Sequence, residues 1–163
     1  MNRLVPCLWF DNDEARNAAE FYASVFPDSH VDSVLAAPAD YPDGGEGDEL
    51  TVAFTVLGHR FLGLNGGPHF RPNEAVSFQV LTADQAETDR YWDAIIGNGG
   101  QASDCGWCKD RWGFSWQITP RALMDAMADP DRAAARRAME AMMTMQKIDI
   151  ATIQAARAGT GSR

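Results

Sequence analysis

Leu4-Val5-Pro6-Cys7-Leu8-Trp9-Phe10-Asp11-Asn12-Asp13-Glu14 is an apolar run that breaks into acids, and its form returns at Val76-Ser77-Phe78-Gln79-Val80 followed by Thr82 and Gln85. In the first stretch Asp11 is placed to cap a helix and Glu14 to complete a capping box; Thr82 and Gln85 hold the same relation in the second. Behind the first cap, Ala15, Ala18, Tyr22 and Val25 recur at helical spacing beside Phe21 and Phe26, until Pro27-Asp28 ends the segment. Behind the second, Tyr91, Trp92, Ile95 and Ile96 run to Gly97-Asn98-Gly99-Gly100. Subtraction brings the copies into register. Phe21 and Tyr91, Tyr22 and Trp92, Val25 and Ile95, and Phe10 and Val80 all differ by 70.

Each strand-helix unit is followed by short β-like segments, His30 to Leu35, Glu49 to Leu57 and Arg60 to Leu64 in the first copy, and Gln101 to Cys105, Cys108 to Arg111 and Phe114 to Thr119 in the second. Both copies therefore read βαβββ. Leu57-Gly58-His59-Arg60 reads as a tight hairpin, and Pro38 to Asp48 as a long Pro/Gly/Asp-rich loop. The expected architecture is α+β: a single domain over 1–120 built from modules 3–70 and 74–119, then a helical C-terminal arm over 121–158 and a disordered tail at 159–163. In the arm, Leu123 to Ala128, Asp131 to Lys147 and Asp149 to Ala158 read as helices. Met139, Met142, Met143 and Met145 fall partly on one stripe that needs an apolar cover, either the arm's own domain or a second copy in a homodimer.

With 14 Lys plus Arg against 23 Asp plus Glu, the formal charge is −9. No basic cluster reverses that field locally, so nucleic acid is excluded as a partner. The longest apolar runs fall far short of the roughly 20 residues of a membrane span, and the first one meets acids at once rather than a cleavage site. Three cysteines, an odd number, suit a reduced cytoplasmic protein better than a disulfide scaffold.

The strings Cys7-Leu8-Trp9-Phe10-Asp11, Leu64-Asn65-Gly66-Gly67-Pro68-His69-Phe70 and Cys105-Gly106-Trp107-Cys108-Lys109-Asp110-Arg111-Trp112-Gly113-Phe114-Ser115-Trp116-Gln117 resemble the PhnB-like branch of the vicinal oxygen chelate superfamily. That superfamily also holds glyoxalase I, bleomycin-resistance proteins and extradiol dioxygenases, and this branch carries the label 3-demethylubiquinone-9 3-methyltransferase-like. The resemblance spans roughly residues 3 to 157. It implies that each module forms half of a cupped, mixed but mostly antiparallel sheet around a small-molecule ligand.

Strand alternation then assigns faces. Leu8, Phe10, Phe78 and Val80, with Leu62, Leu64, Phe114 and Trp116, are expected under the helices. Val5, Cys7, Trp9, Ala75, Ser77 and Gln79, with Gly63, Asn65, Ser115, Gln117 and Thr119, are expected to face the ligand, a mixture of polar and small groups suited to a cavity. Metal-using relatives place a His or Glu on the first strand and a Glu on the last strand of each module. Matching by strand position puts Val5, Asn65, Ala75 and Gln117 there, which leaves no ionisable ligand, so no metal and no cofactor is expected.

Other metal readings are weaker. His59 at a hairpin tip and His30 at a strand start read as solvated, whereas His69 lies in a family-like string within reach of the cup's rim and is a ligand-contact candidate. The acidic residues Asp40, Asp43, Glu46, Asp48 and Glu49 lack the ordered spacing of a calcium loop and read as solvated. Cys105 and Cys108 form a CxxC pair in an apparent β-turn, which fits packing or ligand lining better than zinc or thioredoxin-like chemistry; whether the two are joined is left open.

Two functions remain in view. One is a non-catalytic protein that binds a planar or aromatic compound through Trp9, Trp107, Trp112, Asn65 and Gln117, as bleomycin-resistance relatives do. The alternative is an enzyme of the glyoxalase or dioxygenase type acting on a small oxygenated substrate, with Lys109-Asp110-Arg111 supplying charge at the cup's edge unless that triplet is a surface turn with an internal ion pair. A methyltransferase is not expected. Transfer from S-adenosylmethionine calls for a glycine-rich turn after the first strand, where this chain has Asp11-Asn12-Asp13-Glu14, and Gly44-Gly45-Glu46-Gly47 is not followed by a helix pattern.

Overall fold

The computed structural model describes residues 3–160, and the chain divides into two compact units between Pro72 and Asn73. The first unit runs β1 (Cys7–Phe10), α1 (Ala15–Val25), β2 (His30–Ala36), β3 (Glu49–Val56) and β4 (His59–Asn65). The second runs β5 (Ser77–Thr82), α2 (Gln85–Gly97), β6 (Gln101–Ala102), β7 (Trp107–Lys109) and β8 (Ser115–Pro120), followed by α3 (Arg121–Met127), α4 (Arg132–Met142) and α5 (Ile150–Ala158). Each is a βαβββ module, and the class is α+β. The sheets have the same order, β1-β4-β3-β2 and β5-β8-β7-β6, with first and last strands parallel and the other neighbours antiparallel. A parallel pair needs a crossover, and in each module the helix begins it.

In the first unit Leu8, Phe10, Val52, Phe54 and Val56 pack under Ala15, Ala18, Ala19 and Tyr22 of α1. Here β4 has the opposite phase to the one expected. Phe10 pairs with Asn65 and Leu8 with Gly63, so Gly63 and Asn65 share the helix face, while Leu62 and Leu64 join Cys7 and Trp9 on the open face. The cause is close approach: a Cβ on Gly63 would lie 2.9 Å from the Ala15 Cβ and 3.3 Å from the Phe10 ring. A leucine there would drive α1 off the sheet.

The helix starts also depart from the expected boxes. Asn12 and Asp13 take left-handed backbone (φ 55° and 57°), so α1 starts at Ala15 and neither Asp11 nor Glu14 supplies a side-chain cap. Its first amide bonds instead to the Asn65 Oδ1, 3.0 Å away. In the second unit the cap is Asp84, which accepts from the Glu87 amide while Glu87 accepts from the Ala83 amide. Thr82 is buried and its hydroxyl meets that of Thr88 at 2.6 Å.

Gln85, freed from capping, ties down the arm: its side chain donates to the Ile148 carbonyl and accepts from the Ile150 amide. Lys147 bonds to Asp89 and Asp93 of α2, and the Cys105 and Gly106 amides donate to Met145 and Gln146. The arm so docked has its own core of Leu123, Ala126, Ala138, Ile148 and Ile153. The expected methionine stripe splits, because α4 ends at Met142: Met142 and Met145 pack on this core, whereas Met139 and Met143 are exposed. Gly159 (φ 76°) caps α5, and Thr160 donates back to Ala155. The remainder of the expected tail, 161–163, lies outside the described residues. No helix among the described residues is long and apolar enough to cross a membrane.

Candidate functional site

Residues paired across neighbouring strands share a face, so the registers of β5, β8 and β7 fix two rows on the open side of the second sheet. One row is Ser77, Ser115 and Lys109; the next is Gln79, Gln117 and Trp107. Gln117 donates to the Ser77 hydroxyl at 2.8 Å, and Gln79 reaches Thr119 at 3.5 Å. At the β6 and β7 edge a cavity of about 160 Å³ is lined by Glu74, Gln101, Ala102, Ser103, Trp107, Cys108, Lys109 and Ser115. Lys109 is ion-paired with Glu74, whose carboxyl it holds below the usual range by hydrogen bonding.

The first unit carries a different cavity, about 200 Å³, bounded by Trp9, Tyr41, Pro42, Asp43, Leu50, Leu64, Asn65, Gly66 and His69. The string from Asn65 to Phe70 builds one of its walls. Asn65 is spent on structure, accepting from Ala15 and donating to the Glu49 carbonyl at 2.7 Å. Gly66 leaves room for the Trp9 indole, since a Cβ there would fall 2.3 Å from the ring. The indole donates to the Gly67 carbonyl at 2.8 Å and meets Phe70 edge-on with centroids 4.8 Å apart. His69 Nε2 lies 3.0 Å from Asp43 Oδ2. Thus Asp43, read from the sequence as a solvated acid of the long loop, orients a histidine at the cavity.

Of the other expected candidates, Cys7 is exposed on the open face opposite Leu62, and Arg111 stands over the Trp112 ring, 5.4 Å from its centroid. Cys105 occupies a turn with left-handed backbone (φ 61°), and all three cysteines are free thiols. Cys108 lies on the helix face opposite Trp116, where burial and then the charge of Asp110 push its thiol up to about 12. The triplet at 109–111 is not a plain surface turn. Asp110 is buried and accepts from the Trp112 and Phe114 amides and from Trp116 Nε1 at 2.9 to 3.0 Å.

Register also corrects one position in the metal comparison. Gln117 pairs with Gln79 as Leu64 pairs with Trp9, so the first module's counterpart of Gln117 is Leu64, not Asn65. Among Val5, Leu64, Ala75 and Gln117, Gln117 alone has a side-chain oxygen, and this donor set does not fit a divalent ion. Among the described residues no three His, Cys, Asp or Glu side chains gather as a metal site would require. Asp43 and Glu74 are the site residues that sequence reasoning missed. Each lies in a loop whose local pattern carries no sign of its distant partner.

A family model described as 3-demethylubiquinone-9 3-methyltransferase matches residues 2–119. A PhnB protein from Bacillus cereus is 25% identical, with 73% of this chain and 99% of that one covered at a TM-score of 0.64. The protein PA1353 from Pseudomonas aeruginosa shares the fold at 19% identity, with 74% and 98% covered and a TM-score of 0.59. Among curated proteins none matches the chain. With the family model covering well over half its length, the chain belongs to the family described as 3-demethylubiquinone-9 3-methyltransferase, of the PhnB type, within the vicinal oxygen chelate superfamily.

Proposed function

We propose that the protein binds a small planar or aromatic molecule, with the Trp9 cavity as its apolar contact, and does so without a divalent metal. The observation that carries this reading is the make-up of that cavity. Trp9, Pro42, Leu50 and Leu64 offer apolar surface, and the His69–Asp43 pair offers one oriented polar group. That combination holds a ring by area and fixes its direction by one hydrogen bond. It supplies no ionised ligand set for a metal, so the glyoxalase or dioxygenase alternative has less support.

The test is a thermal-shift and tryptophan-fluorescence titration of the untagged full chain with a panel of planar aromatic compounds, alongside elemental analysis and a series of divalent metals. A saturable response lost in Trp9→Ala, with no stoichiometric metal and no metal-induced shift, supports the reading. A tightly held stoichiometric metal overturns it and puts the enzyme first. Calorimetric binding of S-adenosylmethionine would overturn it in the other direction, toward the literal family description.

The proposal extends to a homodimer through the arm, where Met139 on α4 and Met143 at its C-terminal cap, four residues apart and both exposed, lack an apolar cover within their own unit. Light scattering of a Met139→Glu, Met143→Glu double variant checks it: a dimer that becomes monomeric supports the arm contact, and an unchanged mass rejects it.

A further inference from the structure

The second unit contains a buried hydroxyl that no described residue bonds. Ser115 is 2% exposed, and its Oγ has no hydrogen-bond partner among the described residues. Folded proteins seldom leave such a group unpaired, because removing it from water is compensated only by a partner. An unused hydroxyl at a cavity wall therefore points to something that arrives later. Ser115 lies directly across from Lys109 in the β7–β8 ladder, both on the open face, so the hydroxyl and the stem of the lysine stand side by side. Gln101 and Ser103 add neutral hydrogen-bonding groups to the same wall, and Trp107 adds an aromatic face.

Glu74 decides the chemistry. Its carboxylate, on the segment just before β5, sits on the Lys109 ammonium yet remains largely exposed, with a side-chain exposure of 63% against 32% for Lys109. Such an exposed ion pair is weak enough to be exchanged. The arrangement is a carboxylate resting on a cation beside an idle donor.

We propose that this cavity of the second unit is an oxyanion site, which takes a carboxylate or phosphoryl group of a small molecule on Lys109 and Ser115, and that Glu74 holds the lysine until that group replaces it. The entering oxygens accept from the ammonium and from the Ser115 hydroxyl, satisfying the orphan group. Released Glu74 returns to water at the surface. This rests on the small-molecule reading above and adds the ligand chemistry of a separate cavity within the second unit; the Trp9 cavity belongs to the first unit and is assayed separately.

The test uses the full chain with benzoate, phenylphosphonate and inorganic phosphate as probes and benzamide as the uncharged control, followed by calorimetry and by amide NMR shifts. Benzoate or a phosphoryl probe is expected to bind and to move the amides of Lys109, Ser115 and Gln101, whereas benzamide does not; which oxyanion binds more tightly tells carboxylate from phosphoryl. Glu74→Gln removes the competing charge and tightens binding by about tenfold, while Ser115→Ala weakens it by about fivefold to tenfold. Ser115→Ala should also raise the melting temperature of the free protein slightly, since it deletes an unpaired buried group. A serine with a purely structural bond would lower it.

The proposal fails if no oxyanion binds, if the shifts map away from Lys109, or if Glu74→Gln weakens binding. It fails equally if Ser115→Ala leaves affinity unchanged. None of these outcomes touches the Trp9 titration, so the two readings stand or fall apart.

Discussion

The two modules have one strand order and one register but opposite linings. At equivalent places on the open faces, Trp9 and Leu64 in the first module answer to Gln79 and Gln117 in the second. Under the helices, Leu8 and Gly63 answer to Phe78 and Trp116. The helix faces follow the same sense: α1 buries Ala15, Ala18, Ala19 and Tyr22 in close approach over a glycine, and α2 buries the larger Thr88, Tyr91, Trp92 and Ile95. Close packing couples the residues on the helix side to one another, so a change of size in the sheet is matched by one in the helix. No such coupling binds the open side, and there the copies have diverged into an apolar cavity and a polar one. The largest predicted effects therefore lie on the coupled side.

Asp110 has no counterpart in the first module, and its loss should do most damage. Asp110→Ala strands the Trp116 indole N–H and two backbone amides in a buried turn. The expected cost is about 3–5 kcal/mol, read as a fall in the urea midpoint. A cost under 1 kcal/mol would mean that the turn holds its shape without the carboxylate. Next comes Gly63→Val, which places side-chain atoms where Ala15 and Phe10 already stand. Overpacking of this kind costs about 1–3 kcal/mol. Adding a methyl-sized gap above it, as Ala15→Gly in the Gly63→Val background, should recover part of the loss even though glycine at a helix start is itself unfavourable. Absence of any recovery would break the argument that helix and sheet sizes are matched.

Asn65→Ala is expected to cost less, about 0.5–2 kcal/mol, because it removes the acceptor for the first amide of α1. The same variant should leave binding at the Trp9 cavity nearly unchanged, since both ends of the amide are committed to backbone. A binding loss far exceeding the stability loss would return Asn65 to the ligand.

These residues also mark how far the sequence could be read. The repeat, the βαβββ order and most strand limits were legible because a 70-residue spacing, apolar periodicity and turn residues are local signals. The phase of β4 was not. Phe61-Leu62-Gly63-Leu64-Asn65 invites the leucines inward, and only the closeness of Ala15, brought there by tertiary packing, reserves the helix side for glycine. The cap of α1 was hidden for the same reason, its acceptor lying fifty residues along the chain. At the sites, Trp9, His69, Ser115 and Lys109 stood in recognisable strings, whereas Asp43 and Glu74 acquire meaning only from the partners that folding gives them.

The smallest effect separates two cysteines by face. Cys7 lies exposed on the open face of β1, whereas Cys108 stands on the helix side opposite Trp116, in the place that Val52 holds opposite Gly63 in the first module. Iodoacetamide at neutral pH should alkylate Cys7 in the folded protein and Cys108 only after unfolding, as mass spectrometry of the two peptides would show; fast modification of Cys108 would contradict its burial. Stability carries the same signature. The Cys108 thiol is raised from 9.0 to about 12 in the folded chain, so above pH 9 the unfolded chain gives up its proton while the folded chain keeps it. Stability then falls as pH rises, by about 1 kcal/mol at pH 10, and Cys108→Val, which has no proton to lose, should flatten that part of the curve. A wild-type profile already flat between pH 9 and 10 would place the thiol in contact with water and undo the contrast with Cys7.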